Sequence, residues 1–575
     1  MLNQFRHRLA SFDALPQLAI LGLASGLLAG GIIILFRLAI EHTQINFLPN
    51  GSTENYEALS SVWRFALPAL GGLIIGILFH WLTKTWDAGN VQVGVVHVLE
   101  RLAYHQGHLP FRNFLLQFIG AALSIISGHS VGREGPGIHL GAAGSSLLGQ
   151  WLKLPNNSIQ TLVACGAAAS IAASFNTPIA GVVFSMEVIM MEYTIAGFTP
   201  VILAAVSATA LTRFVFGVEP AFSVPSLQMA SLMELPYLLV MGLAIGALAA
   251  AFITLLQWLT EHSKSFPLWQ RMTVAGVATG LCALWVPQIM GVGYDTVNQA
   301  MLGELGLGLL LMVVLFKLLA TTIGLGLGLP GGLIGPTLVI GAAAGGALGV
   351  VADSLFPGEL ASPGFYAMLG MGAMMGATLQ APLAALLALL ELTANPNIIL
   401  PGMLAVVVSG ITSSHLFGRE SVFLTLLKAR GLDYRSNPVA QHLRRTGVTS
   451  VLNKAFVESP ATIPRTAAEQ LIQTKPLWIV IKQDEQPTHL LLAADLARYL
   501  GEEDTTQEEA VTLSSIPAER MEITTIYQQA TLQEALDRMK EKSVKALAVY
   551  SNHAARKHKI LGIITQQTVE SHYRD

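Results

Sequence analysis

Residues 127–141, SGHSVGREGPGIHLG, have a counterpart 200 positions later in residues 329–341, LPGGLIGPTLVIG. Gly135-Pro136 followed by Leu140-Gly141-Ala142-Ala143 and Gly149 returns as Gly335-Pro336 followed by Ile340-Gly341-Ala342-Ala343 and Gly349. A second block repeats too. GAAASIAASFNTPIAGVVFSME (166–187) aligns with GMGAMMGATLQAPLAALLALLE (370–391), placing Pro178 on Pro382 and Glu187 on Glu391. Two blocks in nearly one register read as a duplication, with halves near residues 30–220 and 235–420. Paired Gly/Pro-interrupted segments in two halves point to a substrate site at the repeat interface, near the middle of a bilayer.

The surroundings of these blocks agree. Of the 575 residues 52% are hydrophobic and only 12% charged, against roughly a quarter charged in soluble domains. A soluble enzyme is excluded by that balance. Residues 1–420 hold 14 Lys/Arg and 18 Asp/Glu, leaving 19 and 18 for the last 155 residues. Two materials are therefore joined near residue 430, and the net charge of −3 describes neither and offers nothing to nucleic acid. Apolar stretches at 18–40, 66–82, 114–127, 201–216, 238–259, 274–286, 307–327 and 398–416 approach the roughly 20 residues of a spanning helix. Many are cut by Gly or Pro, so broken helices are expected, buried in protein or lining a polar cavity. Cys165 and Cys282 read as free apolar thiols. Arg6 and Arg8 precede the first apolar stretch without a cleavage site, the pattern of a retained cytoplasmic flank.

Arg133 and Glu134 lie between glycines inside the membrane portion. Burying such groups costs several kcal/mol, which makes them a functional site by default. Gly135 and Pro136 suit a helix start, where free N–H groups and the positive dipole end attract an anion. Glu134 is then a built-in anion that a solute anion displaces. N–H groups at Leu333 and Ile334 in the second half are expected to face the same anion.

GREGP, GGLIGP and FNTPIAGVVFSMEV together resemble the CLC family of chloride channels and chloride/proton antiporters, over residues 17–428. The resemblance implies an all-α polytopic membrane fold with an inverted repeat, followed by a small α/β tail. It further implies a homodimer with one anion pathway per subunit and a gating glutamate at Glu134. The anion-binding positions carried over are Gly132, Arg133, Gly135, Leu333, Ile334, Phe423, and Asn90 or Val91. At Asn90 or Val91 the family often has a chloride-coordinating serine, and at Phe423 a tyrosine, so an inner site lacking those hydroxyls is expected to be weak. Backbone donors survive such changes, and selectivity for anions with them.

Family antiporters carry two acids at the end of the FNTPIAGVVFSME block, the second being the internal proton relay. Here Glu187 is followed by Val188, the channel pattern, and a relay then needs Glu187 or Glu192. The sequence is accordingly read as a gated passive chloride channel, with proton-coupled antiport as the alternative and a ligand-sensing receptor as a remote third.

His80, His97, His129 and His139 stand singly, without metal spacing, and no metal is expected. Asn50-Gly51-Ser52 is an isolated glycosylation triplet. In the tail, strands are expected at 477–482, 489–494, 545–550 and 559–565, with helices following 494, over 530–542 and at the end. This tail, residues 446–575 after a 431–445 linker, resembles a pair of cystathionine-β-synthase-type (CBS) regulatory domains. Asp495 and Thr565 keep only part of an adenine-nucleotide signature, so a structural or dimerising role is expected of the tail ahead of nucleotide binding, and chloride is the expected transported solute. The resemblance places the chain in a plasma or inner membrane, lipid around it, with both termini cytoplasmic.

Overall fold

The computed structural model describes residue 9 and residues 15–51, 53–85, 92–193, 195–218, 222, 227–432, 443–444, 446–483, 486–502, 509–551 and 559–571. Asn90, Val91 and Ser52 lie outside them. The chain divides into two compact units. One comprises Ala19–Gln150 and Gln160–Tyr434; the other comprises Met1–Leu18, Trp151–Ile159 and Arg435–Asp575.

The first half of the helical unit runs α1 (Leu15–Phe47), α2 (Ser61–Thr85), α3 (Val95–Tyr104), α4 (Phe111–Ile126), α5 (Glu134–Trp151), α6 (Asn156–Phe175), α7 (Pro178–Phe184) and α8 (Ile195–Phe216). The second runs α9 (Leu235–His262), α10 (Leu268–Trp285), α11 (Tyr294–Leu302), α12 (Leu307–Gly326), α13 (Ile334–Leu355), α14 (Pro363–Leu379), α15 (Pro382–Thr393), α16 (Ile399–Ile411) and α17 (Val422–Ala429). Among the described residues eight helices are long and apolar enough to cross a membrane. Two of them, α6 and α13, are Ala/Gly-rich and were not among the apolar stretches expected from the sequence. Pro68 in α2 and Pro200 in α8 stand inside helices that run on through them, while π-helical turns follow α7 over Ser185–Met190 and α16 over Thr412–Leu416.

The duplication is visible in the backbone. Gly128 and Gly328 follow α4 and α12 at φ +74° and +99°, the left-handed conformation that ends a helix and that glycine adopts without a Cβ penalty. Asn176 and Gln380 do the same after α6 and α14, each just before the proline that opens the next helix. Close packing repeats as well. A Cβ on Gly141 would overlap the Gly166 carbonyl, and one on Gly341 the Gly370 carbonyl, so α5 on α6 and α13 on α14 approach backbone to backbone. Small residues at such crossings supply helix association where lipid provides no hydrophobic drive.

The other unit has a six-stranded sheet ordered β1-β3-β4-β6-β7-β8, from strands Phe456–Pro460 (β1), Trp478–Gln483 (β3), Gln486–Leu492 (β4), Met521–Tyr527 (β6), Ala546–Tyr550 (β7) and Ile560–Thr565 (β8). β2 (Thr462–Pro464) and β5 (Ala510–Thr512) form a separate pair. In each copy a parallel pair joined through a helix is followed by an antiparallel hairpin: β1, α18 (Arg465–Gln473), β3 and β4, then β6, α20 (Leu532–Lys542), β7 and β8. α19 (Ala493–Gly501) and α21 (Gln566–Ser571) close the copies. Buried apolar faces of α18 and α20 explain why they lie on the sheet. The Thr531/Glu534 capping box sets the start of α20. The expected strands and helices are present within a few residues. β1, β2, β5, β6 and α18 were not expected. This small α/β region is consistent with a CBS pair.

Candidate functional site

After α4 and α12 the two repeated segments run against each other. Gly132 N–H donates to the Gly332 carbonyl at 2.7 Å and Gly332 N–H to the Gly132 carbonyl at 2.8 Å. This bridge brings together the N-termini of α5 and α13, each with a proline in its first turn where no intrahelical N–H is needed. Gly135 must stay bare, since a Cβ there would lie 2.7 Å from Gly332 Cα.

Glu134, the first residue of α5, is 1% exposed. Its Oε2 accepts from Gly335 N–H of the other half at 3.1 Å, and its Oε1 accepts from the Tyr294 hydroxyl. A carboxylate thus sits where two helix N-termini put partial positive charge. The donor it meets is Gly335, one residue beyond the N–H groups of Leu333 and Ile334 that the sequence pointed to. Leu333 is the residue capping α13, and Ile334 is its buried first residue. A Cβ on Gly132 would collide with Glu134 Oε2. The Arg133 guanidinium turns elsewhere: Nη1 is 3.5 Å from Glu41 Oε1, and the group lies 5.3 Å from the centre of the Tyr294 ring.

Tyr294 was missed in the sequence because it is uncharged and outside both repeated blocks. It opens α11 directly after Gly293 at φ +86°, as Val95 opens α3 after Gly94 at φ +85°. Phe175 and Phe222 flank its ring at 6.2 and 5.4 Å between centres. Its N–H donates to Glu54 Oε2 at 3.3 Å. Burial is the main influence on Glu54 and pushes its carboxyl upward, against the pull of Arg133. Lys317, fully buried on α12, donates to the carbonyls of Ile289, Gly291 and Val292 at 2.9, 2.9 and 3.2 Å, fixing the loop that delivers Tyr294.

Next to this meeting point lies a cavity of 310 Å³, whose lining includes Val95, Gly135, Leu333, Phe423, Arg271 and Arg430. Phe423, from the first turn of α17, presents carbon only.

The second repeated block builds a reciprocal pair. Glu187 accepts from Leu383 and Ala384 N–H at 3.3 and 2.8 Å, while Glu391 accepts from Ile179 and Ala180 N–H at 3.1 and 2.7 Å. Each glutamate caps the helix of the other half. Glu187 and Val188 line a second cavity, of 440 Å³, together with Gln380, Arg419 and Glu420. Val188 is 3% exposed. Burial and the Glu187 carboxylate push the Tyr193 hydroxyl up to about 12. Glu192 is half-buried, its N–H bonded to the Met186 carbonyl.

Residues 71–414 match the family described as voltage gated chloride channel. The chain belongs to this CLC family. A ClcB-like protein of Ralstonia nicotianae is 34% identical over 376 residues, covering 64% of this chain and 86% of that protein. An H(+)/Cl(-) exchange transporter ClcA of Vibrio cholerae is 31% identical over 323 residues, 54% of this chain and 68% of that one. A eukaryotic CLC transporter of known structure, 17% identical, superposes with a TM-score of 0.60 over 97% of this chain and 99% of its own. The fold is therefore a helical CLC-type membrane fold with an appended α/β region.

Among the described residues no His/Cys/Asp/Glu group suits a metal. The histidines are not all single. His97 Nδ1 and His139 Nε2 lie 2.9 Å apart in a buried stacked pair, linking residues distant in sequence, while His129 bonds Ser127 Oγ at 2.8 Å. In the tail, Asp495 pairs with Arg498 at 3.2 Å. Thr565 Oγ1 lies 2.9 Å from Thr568 Oγ1 and accepts from Thr568 N–H at 3.3 Å. Asp495 lies in the first turn of α19, just after β4, and Thr565 ends β8; those two strands are three spacings apart in the sheet, about 14 Å.

Proposed function

We propose that the chain exchanges chloride for protons across the membrane, with Glu134 as the group that chloride and protons both address. The observation that carries this reading is the Glu134 carboxylate seated on Gly335 N–H, at the meeting of two helix N-termini. As an ionised group it competes with chloride for those donors; protonated, it loses the charge that holds it there. Glycine segments 132–135 and 332–335 supply the backbone donors, with Leu333, Ile334 and Phe423 beside them. The exchange activity in the name of the Vibrio cholerae relative favours coupling over the passive conduction that Val188 suggests from the sequence. A proton bound for Glu134 would arrive through the cavity that Glu187 lines, since Val188 cannot hold one.

Passive conduction is the second reading, and the buried Val188 favours it. Liposomes under opposed chloride and pH gradients separate the two. Under exchange, a chloride gradient drives protons uphill and the reversal potential departs from that of chloride. A reversal potential that follows chloride alone selects the channel.

As part of the same reading, the protein is a homodimer with cytoplasmic termini in an inner or plasma membrane, and residues 446–575 act as a CBS-type regulatory pair. Asp495 and Thr565 are already engaged by Arg498 and Thr568. Millimolar ATP, ADP or AMP is therefore expected to leave the thermal unfolding of the full-length protein unchanged. Binding at a hundredfold excess over Kd would add about 2.7 kcal/mol, and a shift lost in Asp495→Ala would reverse this expectation.

A further inference from the structure

His97 and His139 form a buried pair of titratable groups with no part in the anion route past Glu134. They are 3% and 0% exposed, on α3 and α5, 42 positions apart in the chain. Nδ1 of His97 lies 2.9 Å from Nε2 of His139, and the rings stack at 5.2 Å between centres. One proton fits between those two nitrogens. Each neutral ring carries one N–H, so the pair's second proton sits on an outer nitrogen, either Nε2 of His97 or Nδ1 of His139. Nδ1 of His139 is buried without a hydrogen-bond partner among the described residues. A buried polar atom left so calls for an explanation.

The pair has the two states of a proton wire. In one, Nδ1 of His97 donates to Nε2 of His139 and the outer proton is on Nδ1 of His139. In the other, the shared bond is reversed and the outer proton is on Nε2 of His97. A proton taken up at Nε2 of His97 sends the shared proton across to Nε2 of His139, and Nδ1 of His139 then releases its own. One proton enters, one leaves, and both rings end neutral. A turn of the rings restores the first state.

His139 follows Glu134 by five residues on α5, about 7.5 Å of helix rise. His97 directly follows Val95 and Val96, which line the 310 Å³ cavity together with Gly135 and Arg430. The charges that act most on His97 after its partner ring are the cations Arg101 and Arg430. Neither is a counter-charge that would trap a proton on the pair, and a relay must release what it takes up. The other path is less well equipped. Glu187 spends its two oxygens on backbone N–H groups at the start of α15, and Val188 beside it holds no proton.

We propose that His97 and His139 relay protons between the 310 Å³ cavity and Glu134, as a second path beside the cavity that Glu187 lines. The proposal rests on the exchange reading and names side chains that carry its proton. Bridging water completes the step between Nδ1 of His139 and Glu134.

Glutamine is the informative replacement, because its amide keeps a hydrogen bond to the partner ring but cannot pass a proton on. In liposomes driven by a chloride gradient, His97→Gln and His139→Gln are each expected to keep chloride uptake and to lose part of the proton movement. Glu187→Gln alone also loses only part. Adding Glu187→Gln to His139→Gln lowers proton movement about a hundredfold. A purely structural pair would lower chloride and proton movement together, so an unchanged chloride-to-proton ratio in both histidine variants overturns the relay. Nitrogen-15 NMR of the histidine-labelled wild-type protein reads the pair without any substitution. A shared proton exchanging between the rings gives both bridging nitrogens shifts averaged between bare and protonated values, and a proton fixed on one ring overturns the proposal. Wild-type protein that moves no protons uphill overturns the exchange reading and the relay with it. Proton movement untouched by either histidine variant, alone or with Glu187→Gln, overturns the relay and leaves exchange standing.

Discussion

Glu134→Gln is expected to carry chloride in vesicles at a rate independent of pH and without moving protons. The wild-type carboxylate occupies the Gly335 N–H and the Tyr294 hydroxyl, donors that a solute anion must win before it can pass. Hydrogen bonds to a charged group are worth about 1.5–3 kcal/mol each. Removing the charge while keeping the shape lifts that competition, and chloride flux at neutral pH rises about tenfold or more. The amide takes up no proton in the working pH range, so any response to acid that remains arises elsewhere. Radioactive chloride uptake measured from acid to neutral pH decides the matter. A profile parallel to that of the wild type means that Glu134 is a structural cap on α13.

Why Glu134 was legible in the sequence while its partners were not follows from how each is specified. Glu134 and its glycines lie in one short run, and the run recurs 200 positions away. A duplicated backbone motif announces itself because both copies need glycine where chains touch, as the Gly132 and Gly332 bridge shows. The reciprocal capping by Glu187 and Glu391 was half visible for the same reason: the residues align, but which helix each caps depends on packing. Tyr294, Glu41 and Arg271 come from three separate helices, and only the folded chain brings them to Glu134, to Arg133 and to the cavity beside them respectively. In the tail, strands with unbroken Val, Ile and Leu runs were readable, whereas β2 and β5, three residues each, carry no periodicity. α6 and α13 escaped notice because alanine and glycine, chosen for close approach, dilute the hydropathy that marks a span.

Tyr294→Phe removes one oxygen and is expected to raise chloride flux at neutral pH about tenfold, the equivalent of one lost hydrogen bond to a charged acceptor. The direction follows from what the hydroxyl holds. Tyr294 donates to Glu134 Oε1 and so helps to keep the carboxylate on the helix N-termini, where it competes with the anion. Without that bond a solute anion displaces the carboxylate more readily. The ring itself should stay in place, packed between Phe175 and Phe222, with Lys317 still holding the loop before it. Phenylalanine therefore isolates the hydroxyl from the packing, and chloride uptake by vesicles at one neutral pH reads its effect. Faster uptake is the signature of a residue that positions the carboxylate. Uptake slower than that of the wild type would instead mean that the hydroxyl contacts the passing anion. Combining Tyr294→Phe with Glu134→Gln completes the argument: the double variant should match Glu134→Gln alone, because a hydroxyl that acts only through the carboxylate has nothing left to act on.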